Sequence, residues 1–161
     1  MKKIVEVGMA EMKVAGCDSI LVTRGLGSCV GIVIYDPLKK VGALAHAMLP
    51  SQELAKFRTN PAKFVDTVIP LMIEKLKEKG ASVDNLEAKL FGGAHMFSSI
   101  PHDSVFSIGR RNVEAAKKIL ASYGIRIIAE DTQGKYGRTI FFDVETGKVK
   151  VKTIFFGEKE L

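Results

Sequence analysis

Residues 29–49 have the sequence CVGIVIYDPLKKVGALAHAML, in which two apolar runs flank a short polar segment. That segment begins with Asp36-Pro37, and an aspartate followed by a proline favours a turn. The valines and isoleucines on either side favour strands. We therefore predict an antiparallel hairpin with strands at 29–36 and 41–49.

The register of this hairpin determines whether its cysteine and its histidine share a face. If Asp36 pairs with Val41, Cys29 and His46 become diagonal neighbours on one face, about 7–8 Å apart at the backbone. A two-residue slip would put them directly opposite each other at about 4.5–5.5 Å, and a one-residue slip would put them on opposite faces. Two of the three simple registers therefore bring thiol and imidazole together.

The rest of the chain predicts further strands and two helices. The helices are expected at 60–79, beginning at the cap-like pair Asn60-Pro61, and at 110–123, ending at Gly124. Pro70 should kink the first helix. The further strands are expected at 2–7, 19–24, 86–91, 125–130, 138–144 and 148–155. This pattern predicts one α+β domain over residues 1–161, a layered α/β sandwich of mostly antiparallel strands with two main helices.

Composition narrows the class of protein. The net charge of +6 is spread over both halves of the 161 residues, without the basic block that is typical of a nucleic-acid-binding arm. No run approaches the ~18–20 apolar residues of a membrane span, and Glu6 and Glu11 interrupt any signal-peptide core. Two cysteines fit a reducing compartment. We therefore expect a cytoplasmic protein that is not inserted in a membrane and has no nucleic-acid partner.

A cysteine after a glycine-rich turn is a candidate nucleophile. Gly27 and Ser28 precede Cys29, and glycine in such a turn lets backbone N–H groups approach a reacting centre. An imidazole that takes the thiol proton activates the sulfur, so His46 is the candidate base and is expected to lower the pKa of Cys29. The alternative is that both residues are ordinary core residues.

The remaining cysteine and histidines carry weaker signals. Cys17 lies beside Asp18, so we interpret it as structural, although a Cys17–Cys29 disulfide stays open. His95 and His102 could join His46 at a metal, but no regular ligand spacing supports this, and we predict neither a metal nor another cofactor.

Six short motifs occur in one order along nearly the whole chain. They are Gly25-Leu26-Gly27-Ser28-Cys29-Val30, Ala45-His46-Ala47-Met48-Leu49-Pro50, Gly92-Gly93-Ala94-His95-Met96-Phe97, Ile108-Gly109-Arg110-Arg111-Asn112, Ala129-Glu130-Asp131-Thr132 and Glu145-Thr146-Gly147-Lys148-Val149. Together they closely resemble the CheD family of chemoreceptor glutamine deamidases. Two features depart from the pattern. The family commonly has glycine where this chain has Gln133, and Pro70 interrupts a helix that is usually uninterrupted in such sequences.

The resemblance implies a function and a set of site residues. It implies Cys29 as nucleophile, His46 as base and Thr23 as a third catalytic residue, acting through a thioester on glutamines of chemotaxis receptors. It also implies a fold similar to the deamidase domain of cytotoxic necrotizing factor toxins, and a partner, the phosphatase CheC. By geometry, Gly27 and Ser28 are oxyanion or substrate-binding candidates. The alternatives are a non-catalytic adaptor that regulates CheC or binds receptors, and a thiol hydrolase with another substrate.

Overall fold

A computed structural model describes residues 1–57, 59–96 and 107–161. Within these ranges the chain forms ten strands and two α-helices. In chain order they are β1 (Lys3–Glu6), β2 (Met12–Gly16), β3 (Ser19–Leu26), β4 (Val30–Asp36), β5 (Val41–Ala47), α1 (Val65–Glu78), β6 (Glu87–Gly92), α2 (Ile108–Ser122), β7 (Arg126–Thr132), β8 (Arg138–Asp143), β9 (Val149–Thr153) and β10 (Gly157–Glu160).

The strands form two five-stranded sheets. One sheet has the order β1-β3-β8-β9-β10 and the other has the order β2-β5-β4-β6-β7. Only the pairs β1–β3 and β6–β7 are parallel among the described strands. The predicted α+β class, with mostly antiparallel strands and two main helices, is confirmed. Strands β2 and β10 were not predicted. The apolar alternation of β2 extends over only Met12-Lys13-Val14, and β10 is exposed along its length and has no apolar residue.

Strand β4 lies at the centre of the molecule and is buried on both faces. Val30, Ile32 and Ile34 pack with α1 and α2 in one apolar core. Val33 and Tyr35 point the other way, into a second core between the two sheets. A strand that is buried on both sides has a continuous apolar sequence, which is why residues 30–35 show no polar alternation.

The hairpin of β4 and β5 has the first of the predicted registers. Asp36 pairs with Val41 and Gly31 pairs with His46. The side chain of Asp36 accepts hydrogen bonds from the N–H groups of Leu38 and Lys39, at 2.9 and 3.0 Å, which closes the turn. The predicted pairing of Asp36 with Val41 is therefore confirmed, and it continues to the pair Val30 and Ala47, one residue short of Cys29.

The first helix is shorter than predicted. Asn60 does cap a helical turn, but only the 3-10 turn Pro61–Lys63, after which Phe64 returns to an extended conformation and bridges to Leu49. Helix α1 begins after this interruption and continues through Pro70. Helix α2 agrees with its prediction, and Gly124 ends it with a φ of 70°.

Candidate active site

His46 is held by a hydroxyl from the opposite sheet. Its ring projects from β5 into the interior, where Nδ1 lies 2.7 Å from Oγ1 of Thr23 on β3. The same hydroxyl lies 2.6 Å from the carbonyl oxygen of Val7. A carbonyl can only accept, so the single hydroxyl proton goes to Val7, and His46 must donate from Nδ1. This contact fixes the tautomer of the neutral ring and leaves a lone pair on Nε2.

That lone pair is buried and has no partner among the described residues. His46 is only 1 % exposed, and its burial lowers the pKa of the imidazole because the charged form loses its hydration. A buried ring nitrogen without a hydrogen bond is unusual in a folded protein. The arrangement supplies a neutral imidazole whose Nε2 is free to accept a proton.

Cys29 lies in the bend between β3 and β4, one residue before β4 begins. Its side chain belongs to the core between the sheets, together with Val33 and Leu44, which is the side of the hairpin that carries His46. Burial raises the pKa of the Cys29 thiol, and a hydrogen bond from its own backbone N–H partly opposes the rise. The expected lowering of this pKa by His46 is wrong for the resting protein, because desolvation dominates. The resting pair is a neutral thiol and a neutral imidazole.

The bend that carries the cysteine is fixed by its carbonyl groups. The carbonyl of Gly27 accepts from the backbone N–H of Ala94 at 2.8 Å, and the carbonyl of Cys29 accepts from the backbone N–H of Gly93 at 2.8 Å. Between them, the carbonyl of Ser28 accepts from the side-chain amide of Asn112 at 2.9 Å. In the described part of the chain, the N–H groups of Ser28 and Cys29 donate to no backbone carbonyl, and the N–H of Cys29 meets only its own thiol. Two donors that no carbonyl occupies therefore lie beside the sulfur, as oxyanion binding would require.

Glycine at the end of β6 permits this close packing. Gly92 has a φ of 91°, and a Cβ at that position would lie 2.5 Å from the carbonyl oxygen of Cys29. The Gly92-Gly93 pair brings two backbone segments together where a side chain would separate them.

An open pocket of about 400 Å³ gives access to the cysteine. Its lining consists of Ser28, Cys29, Met48, Leu49, Lys63, Ala94, His95, Met96, Ser107, Ile108 and Gly109. His46 does not line this pocket and lies in the interior instead. A substrate entering the pocket would meet the thiol, while the imidazole stays shielded from water.

Other predicted features have different outcomes. Cys17, interpreted above as structural, is an exposed thiol in the turn between β2 and β3, and it is not bonded to Cys29. His95 lines the pocket, 3.4 Å from Oγ of Ser107, and His102 lies outside the described residues. The described residues contain no group of three potential metal ligands. Across the same residues, no helix is long and apolar enough to cross a membrane.

Sequence analysis assigned no role to two groups that surround Cys29. The glycines at 92–93 and Asn112 were visible only as parts of motifs, since neither residue type points to a chemistry by itself. Their contacts depend on β6 and α2 packing against the bend, which spacing along the chain does not reveal.

Comparison with known proteins assigns the family. A family model described as CheD chemotactic sensory transduction matches residues 48–153. A probable chemoreceptor glutamine deamidase CheD of Desulforamulus reducens is 51% identical over 150 residues, which cover 93% of this chain and 90% of the relative. The chain belongs to the CheD family. A CheD protein of Halalkalibacterium halodurans, named chemoreceptor glutamine deamidase, is 46% identical over 162 residues and covers 100% of both chains. That alignment includes Thr23, Cys29 and His46, which precede the region matched by the family model.

The fold of this CheD chain is shared with a solved structure of low sequence similarity. A crystal structure of a Neisseria meningitidis protein assigned to the family DUF152 has a TM-score of 0.51 and 11% identity, and the match covers 83% of this chain and 64% of that one.

Gln133, the position noted above as a departure from the family pattern, has a φ of 67°, in the left-handed region that glycine adopts most easily. The departure therefore lies at a strained backbone position outside the pocket.

Proposed function

We propose that this protein deamidates specific glutamine side chains of chemotaxis receptors, releasing ammonia and leaving glutamate. The observation that carries the proposal is the bonding of His46, whose Nδ1 donates to Thr23 and whose Nε2 is free on the side of the hairpin that carries Cys29. The printed names of the CheD relatives supply the substrate class. The two unpaired cysteines favour action in the cytoplasm.

The first step is the addition of Cys29 to the glutamine carboxamide. Because thiol and imidazole are both neutral at rest, Nε2 of His46 takes the thiol proton as the carbon–sulfur bond forms. The carbonyl oxygen becomes negatively charged, and the N–H groups of Ser28 and Cys29 donate to it. Gly27 leaves the approach to these donors open.

The second step is the loss of ammonia. The imidazolium of His46 returns its proton to the nitrogen of the tetrahedral intermediate, the carbon–nitrogen bond breaks and a thioester to Cys29 remains. Water then gives a proton to Nε2 and attacks the thioester carbon. The thiolate leaves and regains that proton from the imidazolium. The sum of the steps is glutamine plus water giving glutamate plus ammonia, with no cofactor.

Ammonia release from a receptor fragment tests the proposal. The wild type and Cys17→Ala should release ammonia, whereas Cys29→Ala should not, because only Cys29 lies at the pocket. A protein that binds the fragment without releasing ammonia would instead be an adaptor. A protein that is acylated at Cys29 by reactive esters, yet inert to the receptor, would be a thiol hydrolase with another substrate.

We propose, further, that the phosphatase CheC binds at the rim of the Cys29 pocket. The proposed rim consists of the segments before Cys29 and after His46, including 49–51, and of the loop 92–109. Of these, Ser28, Met48, Leu49 and residues 94–96 and 107–109 line the pocket, while residues 97–106 lie outside the described residues. A shared rim makes binding of CheC and of a receptor mutually exclusive. CheC titrated into the deamidation assay should lower turnover. A ternary complex with undiminished turnover would exclude a shared rim and leave the catalytic residues unaffected.

A further inference from the structure

Asn112 joins the two strand ends that carry the cysteine and the histidine. The β4–β5 ladder ends with the pair Val30 and Ala47. Beyond that pair, Nδ2 of Asn112 donates to the carbonyl of Ser28 at 2.9 Å and to the carbonyl of Met48 at 3.0 Å. The amide of one side chain therefore continues the connection between the strands where the backbone pairing stops.

Asn112 uses its side-chain N–H donors and, within the described part of the chain, leaves its side-chain oxygen unpaired. Asn112 is fully buried, and its Oδ1 has no partner among the described residues. Its two acceptors are both carbonyls, so the nitrogen must face them and the orientation of the amide is determined. An aliphatic residue of similar size would leave both carbonyls buried and unpaired, which folded proteins avoid.

Helix α2 fixes this side chain in position. At Gly109, one turn before Asn112, a Cβ would collide with the carbonyl oxygens of Gly93 and Ala94. The first turn of α2 is thus packed directly on the backbone segment that binds the other carbonyls of the cysteine bend. Asn112 has little freedom to move relative to Cys29.

The bond to Ser28 controls where the N–H of Cys29 points. The peptide bond between Ser28 and Cys29 is planar and trans, so its carbonyl and its N–H point in opposite directions. Holding the carbonyl toward α2 turns the N–H away from α2. In the described part of the chain this N–H donates to no carbonyl, and it faces its own thiol, where its hydrogen bond opposes the rise in the thiol pKa.

We propose that Asn112 is a positioning residue for the oxyanion donor of Cys29. Through the Ser28 carbonyl it holds the Cys29 N–H toward the oxygen that becomes negative when the thiol adds to a carbonyl. The inference rests on the proposed function for its natural substrate, but it applies to any carbonyl addition at Cys29.

The test compares two reactions of the same sulfur in a Cys17→Ala background. Acylation of Cys29 by p-nitrophenyl acetate passes through an oxyanion, whereas alkylation by iodoacetamide does not. Asn112→Ala should slow acylation by about 10- to 100-fold, less than the ~10²–10³ lost when an oxyanion donor is removed outright. Alkylation should change little. With a receptor fragment, kcat should fall by a similar factor while KM stays near the wild-type value.

Matched variants separate this role from a structural one. Leu120→Ala, which removes a buried side chain from the same helix, should destabilise the protein without changing the ratio of acylation to alkylation. Asn112→Ser is a milder second variant, and it should also lower the ratio of acylation to alkylation. The proposal is overturned if the two reactions of the Asn112 variants slow together or if neither slows. Wild-type protein that acylates but does not deamidate receptors would contradict the proposed function and leave this test intact.

Discussion

Replacing Thr23 by valine tests how the base is held. Valine has almost the shape of threonine but lacks the hydroxyl that donates to Val7 and accepts from Nδ1 of His46. Because all three residues are buried, water cannot replace the lost partner. The substitution therefore leaves one buried donor and one buried acceptor unpaired.

The expected magnitudes follow from those two groups. A buried polar group left unpaired costs about 1–3 kcal/mol, so with two such groups the free energy of unfolding should fall by about 2–6 kcal/mol. The same bond selects the tautomer with its lone pair on Nε2. A change of 1.36 kcal/mol alters a rate by about a factor of ten. Losing about one to two times that amount of preference for the reactive tautomer should therefore lower kcat/KM by about 10- to 100-fold.

The assay is receptor deamidation by Thr23→Val and Thr23→Ser, at a temperature where circular dichroism shows both variants to be folded. Serine keeps the hydroxyl and loses only a methyl group, so its turnover should stay close to that of the wild type. Wild-type turnover by folded Thr23→Val, or equal impairment of the two variants, would refute the assigned role of the hydroxyl.

Three other predictions concern pH, backbone strain and a buried ion pair. Burial lowers the pKa of His46 and raises the pKa of Cys29, so kcat/KM should stay level between about pH 6.5 and pH 8.5, the ordinary pKa values of the two groups. It should fall at lower pH, where His46 is protonated, and at higher pH, where Cys29 is ionised. A change of kcat/KM inside that window would contradict the prediction. Gln133→Gly should stabilise the protein by about 0.5–1 kcal/mol, because the left-handed backbone strain that it removes exceeds the entropic cost of glycine. An unchanged melting temperature would show that Gln133 is not strained. Arg138, whose side chain is 1% exposed, forms an ion pair with Asp131 at 3.2 Å. Arg138→Ala should lower the free energy of unfolding in a denaturant titration by about 3 kcal/mol, the low end for a broken buried pair, because Lys159 remains beside the carboxylate. A loss under about 1 kcal/mol is typical of an exposed pair and would show that this pair is solvated.

The sequence predicted the elements whose signals are local. The turn at Asp36-Pro37, with apolar runs on both sides, was enough to predict the β4–β5 hairpin, but three registers stayed open until the structure showed the pair Asp36 and Val41. Gly124 was enough for the end of α2. The start of α1 was misjudged because Phe64 becomes extended through a bridge to Leu49, a contact 15 positions away that no local pattern encodes.

The candidate site was predictable in its residues but not in its environment. Cys29 and His46 follow from a glycine-rich turn and a hairpin register, and Thr23 followed from resemblance to the family. The pKa of Cys29 could not be predicted, because it depends on burial between two sheets. Asn112 could not be predicted either, since an asparagine 83 positions from the cysteine becomes relevant only when α2 packs against the bend.

Site-resolved mass spectrometry of a receptor fragment tests the central claim most directly. After incubation with the wild type or with Cys17→Ala, specific glutamines should show the mass gain that marks conversion to glutamate. After incubation with Cys29→Ala, folded to the same extent, they should not. Conversion by Cys29→Ala at the wild-type rate would show that Cys29 is not the nucleophile and would contradict the account.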